Sequence, residues 1–80
     1  MARVTVLYFA SLRDAAGTGE DTVDTEAASL RALYDQLRGR HGFALPAERL
    51  RVAVDGAFAH WDDALADGSE VAFIPPVSGG

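Results

Sequence analysis

The sequence predicts a small α+β domain in which a mixed sheet of four to five strands packs on one long helix. Strand-like alternation of apolar residues occurs near both ends of the chain and again over residues 51–55. A single helical stripe of apolar residues lies between them, over residues 30–37. With 80 residues the chain has room for one hydrophobic core and not for a second. A sheet and a helix each bury one apolar face, so two layers are expected.

The first strand is expected over residues 3–9, and its apolar residues fall on both faces. One face carries Val4, Val6 and Tyr8, and the other carries Leu7 and Phe9. Apolar residues on both faces are typical of a strand inside a sheet. A short helix is expected over residues 10–16, closed by Gly17 as its C-cap. Residues 20–25 contain one large apolar residue, Val23, and are predicted to form at most a polar edge strand.

The long helix is predicted from four apolar residues at i, i+3, i+4 and i+7, namely Leu30, Leu33, Tyr34 and Leu37. Either Ser29 or Thr25 is suited to cap its start. Either Gly39 or Gly42 is suited to end it. Pro46 marks a break and is expected to open a short helical turn.

The second half of the chain is predicted to contain three strands. Residues 51–55 alternate, and the Asp55–Gly56 pair indicates a tight turn into a short strand over 57–61. A second turn at Asp67–Gly68 leads into the last strand, over residues 70–74. Together with the segments before them, these elements make a sheet that one helix can cover.

The first and last strands are the most hydrophobic and are therefore expected to be neighbours in the centre of the sheet. Because they enter from opposite sides of the long helix, they can run parallel, as in the β-grasp (ubiquitin-like) fold. We assign residues 1–74 to a single domain of this fold. Residues 75–80 are predicted to be a C-terminal tail that projects from it.

Composition excludes several classes of function. The net charge is −5 and the seven basic residues, all arginine, are scattered singly, which disfavours nucleic-acid binding. The chain contains no cysteine, so disulfides and thiolate metal sites are excluded. The apolar run at residues 4–9 is short and lacks a basic leader, so no membrane span or signal peptide is predicted and a cytoplasmic location is expected.

No catalytic set of side chains is evident. His41 and His60 lack ligand spacing and are expected to be surface or helix-end residues. Asp62, Asp63 and Asp67 flank a turn and are expected to be solvated, so no metal site is predicted.

The tail is the most informative segment. Pro75–Pro76 ends strand pairing and stiffens the exit from the sheet, since proline lacks an amide N–H. Gly79–Gly80 has no side-chain bulk and suits a passage too narrow for other residues. We expect the tail to carry the terminal carboxylate into a partner's active site. A flexible, inert tail is the alternative interpretation.

A docking surface is predicted beside the tail. If the helix covers the side of the sheet that holds Val4 and Phe73, then Phe9 and Ile74 remain on the open face, and Phe58 extends the patch. The alternative is that these residues lie under a loop or are scattered singly.

The stretch VLYFASLR at residues 6–13 and the ending ALADGSEVAFIPPVSGG at residues 64–80 resemble the small subunit of molybdopterin synthase, in the ubiquitin-like sulfur-carrier family. The resemblance implies the β-grasp fold and a sulfur-carrier function, with no cofactor bound by this chain. An ATP-dependent, E1-like activating enzyme would adenylate the Gly80 carboxylate, and a sulfur donor such as a cysteine desulfurase system would convert it to a thiocarboxylate. Inside a heterotetramer with the large synthase subunit, the sulfur would pass to cyclic pyranopterin monophosphate and form the dithiolene.

The resemblance also implies roles for individual residues. The reactive end consists of Gly79 and Gly80, the segment in the partner's channel of Pro76, Val77 and Ser78, and the docking face of Phe9, Arg13, Phe58 and Ile74. The strand-face argument independently supports Phe9 and Ile74, whereas Arg13 and Phe58 depend more on the resemblance. Two alternatives remain open: a sulfur carrier for thiamine or tRNA thiolation, and a ubiquitin-like modifier of target lysines.

Overall fold

The structure is a computed structural model that describes residues 1–76. It contains five strands in one sheet, two helices and a 3-10 turn. The strands are β1 (Ala2–Tyr8), β2 (Glu20–Thr25), β3 (Arg51–Val54), β4 (Ala57–Ala59) and β5 (Glu70–Ile74). The helices are α1 (Ala10–Ala16) and α2 (Leu30–His41), and the 3-10 turn is Ala47–Arg49. Within this part of the chain, no helix is long and apolar enough to cross a membrane.

The strand order is β2-β1-β5-β3-β4, with β1 and β5 parallel and the other neighbours antiparallel. Val6 lies beside Val71 in the central parallel pair. A parallel pair needs a crossover connection, and the chain segment that includes α2 provides it. This is the β-grasp arrangement, so the predicted adjacency and direction of the first and last strands are confirmed. The polar strand β2 lies at the edge, as predicted.

The short helix predicted over residues 10–16 is present as α1, with Gly17 as its C-cap at φ 77°. The detail of one long helix is not confirmed, because the longer of the two helices, α2, has 12 residues. Ser29 caps α2, with its side-chain oxygen accepting a 3.2 Å hydrogen bond from the Ala32 amide. Thr25 instead donates a 2.7 Å hydrogen bond to the side-chain amide oxygen of Gln36. Gly42 ends the helix in the left-handed region, at φ 74°. Ser29 and Gly42 are therefore the caps.

The core lies between α2 and one face of the sheet. Its central side chains are fully buried: Val6, Leu33, Tyr34, Leu37, Val71 and Phe73. The Tyr34 and Phe73 rings meet edge to face at 5.1 Å between centroids. Trp61 stacks on Phe73 at 5.8 Å between ring centroids while remaining partly exposed.

The first strand ends one residue earlier than predicted, because Phe9 leaves β1 and becomes the residue that precedes α1. Its backbone is still extended, at φ −126° and ψ 151°. Phe9 therefore continues the alternation of the strand, and it is 45% exposed whereas Tyr8 is buried.

Candidate functional site

The sheet face opposite α2, called here the open face, carries a row of small and apolar side chains. Leu7 in β1 lies beside Ala72 in β5, and Ala72 lies beside Ala53 in β3. Ala53 in turn lies beside Phe58 in β4. Because alanine side chains are short, the row dips between Leu7 and Phe58.

A second row on the open face carries the larger side chains. Arg51 in β3 lies directly beside Ile74, the last residue of β5. Phe9 follows the end of β1, and the larger side chains that border the sheet hollow are Leu7, Phe9, Phe58 and Ile74. This is a depression of about 270 Å³ over the two alanines. The structure thus brings Phe9, Phe58 and Ile74 together on the face where the strand alternation put them, and their role in binding stays a prediction.

A larger depression, the exit hollow, lies where the chain leaves the sheet. It measures about 590 Å³, and its lining includes Phe9, Leu45, Ile74, Pro75 and Pro76. Leu45, which lines this hollow, is held in place from the core, because the Tyr34 hydroxyl donates a 2.6 Å hydrogen bond to the Leu45 carbonyl. A protein seated on Phe9 and Ile74 would therefore contact the start of the tail as well.

The start of the tail differs between its two prolines: Pro75 is buried and Pro76 is exposed. Pro76 is also the last described residue. The predicted positions Val77, Ser78, Gly79 and Gly80 lie outside the described residues. The division into a domain of residues 1–74 and a tail of residues 75–80 stays a prediction.

Arg13 is not brought to this surface. It lines a different, polar depression with Asp14 and the loop of residues 17–19. Its guanidinium lies so close to that loop that a Cβ placed on Gly19 would be 3.3 Å from the Arg13 Nε atom. A docking role for Arg13 stays a prediction, and it would require a partner that reaches beyond the two hollows.

An arginine that does lie beside Phe58 and Ile74 is Arg51, which the sequence pattern did not single out. Its guanidinium carbon is 5.5 Å from the centroid of the Phe58 ring, which is a cation–π contact. The available signal was strand alternation, since Arg51 precedes Ala53 by two residues and therefore shares its face. Arg13 stood out instead, because it belongs to the first-strand motif.

Arg51 also belongs to a third depression, the arginine hollow, of about 370 Å³. Its lining includes Glu48, Arg49, Arg51, Phe58, Ile74 and Pro76. Glu48 forms a 2.8 Å ion pair with Arg31. A hydrogen bond from its own backbone amide, followed by the bond from Arg31, lowers the pKa of the Glu48 carboxyl. Glu48 therefore stays ionised and is already engaged within the chain.

The remaining polar candidates do not form a site. Among residues 1–76, no group of three His, Asp or Glu side chains could hold a metal ion. His60 is exposed, and its backbone amide donates to the Asp63 carboxylate at 3.0 Å. His41 ends α2 and packs its ring on Tyr8 and Phe43. The described part of the chain therefore offers apolar contact, one stacked guanidinium and an exit for the tail.

Comparison with known proteins agrees with this arrangement. The model of the ThiS family matches residues 6–80. The molybdopterin synthase sulfur carrier subunit of Escherichia coli is 36% identical over 80 residues, which cover 96% of this chain and 99% of that protein. The protein of the same name from Mycobacterium tuberculosis is 36% identical and is covered completely, as is this chain. The crystal structure of H. volcanii small archaeal modifier protein 1 is 28% identical and superposes with a TM-score of 0.81, over 96% of this chain and 100% of that one.

Proposed function

This chain belongs to the ThiS family, and from that premise we propose that it is a sulfur carrier of molybdenum cofactor biosynthesis, the small subunit of a molybdopterin synthase. One structural observation carries the proposal. The central strand β5 ends at Ile74, and its continuation through Pro75 and Pro76 lines the same hollow as Phe9. A large subunit docked on the open face would therefore receive the following residues directly. The full-length similarity to molybdopterin synthase sulfur carrier subunits supports the assignment.

The reactive group in this proposal is the carboxylate of Gly80. A carboxylate is a poor electrophile, because its oxygen is a poor leaving group. In an ATP-dependent activating enzyme, a Gly80 oxygen attacks the α-phosphorus of ATP and pyrophosphate leaves, which gives an acyl adenylate. A persulfide from a sulfur donor such as a cysteine desulfurase system then attacks the acyl carbon and displaces AMP. A thiol reductant cleaves the resulting acyl disulfide by supplying two electrons, and the product is a thiocarboxylate. The partner must supply the cationic groups that stabilise the developing charge.

The loaded tail then enters the large subunit. Pro76, Val77 and Ser78 occupy its channel, and the absence of side chains at Gly79 and Gly80 lets the end reach the substrate. The sulfur passes to cyclic pyranopterin monophosphate. Each dithiolene needs two sulfurs, so two loaded carriers are consumed per product. In the proposed heterotetramer, one small subunit sits at each end of a large-subunit dimer.

The direct test is the intact mass of the chain after incubation with the activating enzyme, ATP and a sulfur source. A carrier shows replacement of one oxygen by sulfur on the free chain. Recovery of unmodified chain, under conditions in which an authentic carrier is loaded, contradicts the proposal.

The narrow passage has its own test. Gly79→Ala and Gly80→Ala should leave folding intact and strongly reduce sulfur transfer, because the added methyl group crowds the channel. Gly39→Ala is a matched control, since a Cβ at this exposed position of α2 meets no atom within 4 Å. Equal transfer by all three variants would refute the passage argument.

A second candidate function is protein modification through the same activated end. It is favoured by the likeness to a protein named small archaeal modifier protein 1, at a TM-score of 0.81. A modifier delivers its acyl group to an amine, so the mass experiment would reveal higher-mass adducts on other proteins. The absence of lysine from this chain would direct any such transfer to other molecules or to an amino terminus.

A further inference from the structure

We propose that Arg51, stacked on Phe58, binds a carboxylate side chain of the large subunit at the edge of the open face. The inference rests on the proposed function, because it identifies the chemistry of the partner that the same docking surface recognises. It assigns to Arg51 a contact that neither the family match nor the resemblance places there.

The position of Arg51 makes it part of the docking surface. It lies beside Ile74 in the strand register, and its side chain is exposed on the open face. Phe58, which it contacts at 5.5 Å, is 69% exposed. A guanidinium that lies over a ring face keeps its N–H donors available, and in an exposed residue such as Arg51 these donors can pair with both oxygens of a carboxylate.

Within residues 1–76, three of the seven arginines already have partners in this chain. These are Arg3 with Asp24, Arg31 with Glu48, and Arg38 with the carbonyls of Phe43 and Ala44. Arg49 and Arg51 instead line one hollow, and its acid, Glu48, is held by Arg31. The arginine hollow, which adjoins the tail exit, is therefore locally cationic, although the chain carries a net charge of −5.

Charge complementarity selects the occupant. A partner that places apolar side chains over Phe9 and Ile74 also brings its surface close to Arg49 and Arg51. An acidic side chain of the partner at that point can form an ion pair with the exposed guanidinium of Arg51. A basic residue at that point would be repelled by both arginines.

The test measures the affinity of full-length variants for the purified large subunit at two salt concentrations. Arg51→Gln keeps a polar but shorter side chain and removes its charge, whereas Arg51→Lys keeps the charge. Arg40→Gln is the control, because it removes the same charge from an exposed site at the end of α2. At about 0.05 M salt we expect Arg51→Gln to bind roughly threefold to fivefold more weakly than wild type, with Arg51→Lys intermediate. At about 0.5 M salt the difference should vanish, because the pair is screened.

If Arg51→Gln and Arg40→Gln lose the same affinity for the large subunit, the inference is overturned and the proposed function remains intact. A loss that persists unchanged at high salt would also overturn it, since it would indicate lost packing on Phe58 instead of a charge pair. If the amide resonances of Gly79 and Gly80 in the free chain shift in Arg51→Gln, the arginine binds this chain's own end, which also overturns it. Failure of the wild-type chain to bind any large subunit would instead count against the proposed function.

Discussion

Phe9 and Ile74 line both the sheet hollow and the exit hollow, so they form the ridge between the two. Phe9 precedes α1, and Ile74 is the last residue of β5. The residue before Ile74, Phe73, is fully buried against α2, whereas Ile74 is on the opposite face and only partly buried. One step along a strand thus separates the core from the docking surface.

This relationship predicts that binding and stability can be changed separately. Phe9→Ala and Ile74→Ala should each weaken binding to the large subunit about tenfold, because ridge residues at the centre of an interface contribute most of its energy. Phe9→Ala should lower the free energy of unfolding by less than about 1 kcal/mol, because Phe9 is 45% exposed. Ile74→Ala should lower it by about 1–2 kcal/mol, because Ile74 is partly buried. Titration calorimetry measures the affinity for the large subunit, and urea denaturation measures the free energy of unfolding.

Phe73→Ala is the contrasting variant. It removes a fully buried ring that contacts Tyr34 and Trp61, so it should lower the free energy of unfolding by about 3–5 kcal/mol. If Phe9→Ala or Ile74→Ala destabilised the fold as much as Phe73→Ala, they would belong to the core and the docking interpretation would be wrong.

Two buried tyrosines should respond in opposite directions when their hydroxyls are removed. The Tyr8 hydroxyl is buried and has no hydrogen-bond partner among residues 1–76, so Tyr8→Phe should stabilise the protein by about 1 kcal/mol. The Tyr34 hydroxyl donates to the Leu45 carbonyl, so Tyr34→Phe should destabilise it by about 1–2 kcal/mol. Urea unfolding of the two variants near pH 7 compares them directly. Equal destabilisation would mean that the Tyr8 hydroxyl has a partner.

Tyr8 should also limit stability in alkali. Burial, followed by repulsion from Asp21, raises the pKa of the Tyr8 hydroxyl from 10.0 to about 12. The neutral form is therefore favoured in the folded state, and its contribution is fully present below pH 10. It is lost as the pH rises from 10 through 12, by roughly 2–3 kcal/mol in total.

Tyr8→Phe should flatten this alkaline loss, measured as the urea midpoint between pH 9 and 12. Part of the loss should persist in the variant, because burial raises the pKa of Tyr34 as well. An alkaline slope identical to that of wild type would show that Tyr8 ionises equally readily in the unfolded and folded states.

The backbone conformation of Ala10, which lines the exit hollow, predicts that a glycine at this position stabilises the protein. Its φ of 51° lies in the left-handed region, which costs a residue with a Cβ about 1 kcal/mol. Ala10→Gly should therefore raise the free energy of unfolding by about 0.5–1 kcal/mol. Ala15→Gly, at an exposed position of the same helix with ordinary backbone angles, should lower it by a similar amount. A decrease in both variants would mean that Ala10 is not strained.

The fold could be predicted largely because its periodicities are strong. The stripe of Leu30, Leu33, Tyr34 and Leu37 is buried as a unit, and the alternation in β1 and β5 separates buried from open residues as expected. The cap of α2 could not be chosen, because Ser29 and Thr25 are both good caps by chemistry. Their different hydrogen bonds depend on where Gln36 lies in the folded chain.

The docking face was predicted less completely. Phe9 and Ile74 follow from alternation alone, because adjacent residues of a strand point to opposite faces. Arg13 was selected from the first-strand motif, yet it lines a hollow with residues 17–19. Arg51 did not stand out, since its importance depends on contact with Phe58 across the β3–β4 turn and on its place beside Ile74 in β5.

By itself, the order of residues determined the secondary structure, the parallel central pair and the side of the sheet on which each side chain lies. These properties depend on interactions between near neighbours and on the need to bury one apolar face. Only the tertiary structure decided three features: which arginines stand beside the tail exit, which of Ser29 and Thr25 begins α2 and which of Gly39 and Gly42 ends it, and how the two hollows share the ridge of Phe9 and Ile74. Those features require distances between residues that the chain brings together only when it packs, and no local pattern encodes such distances.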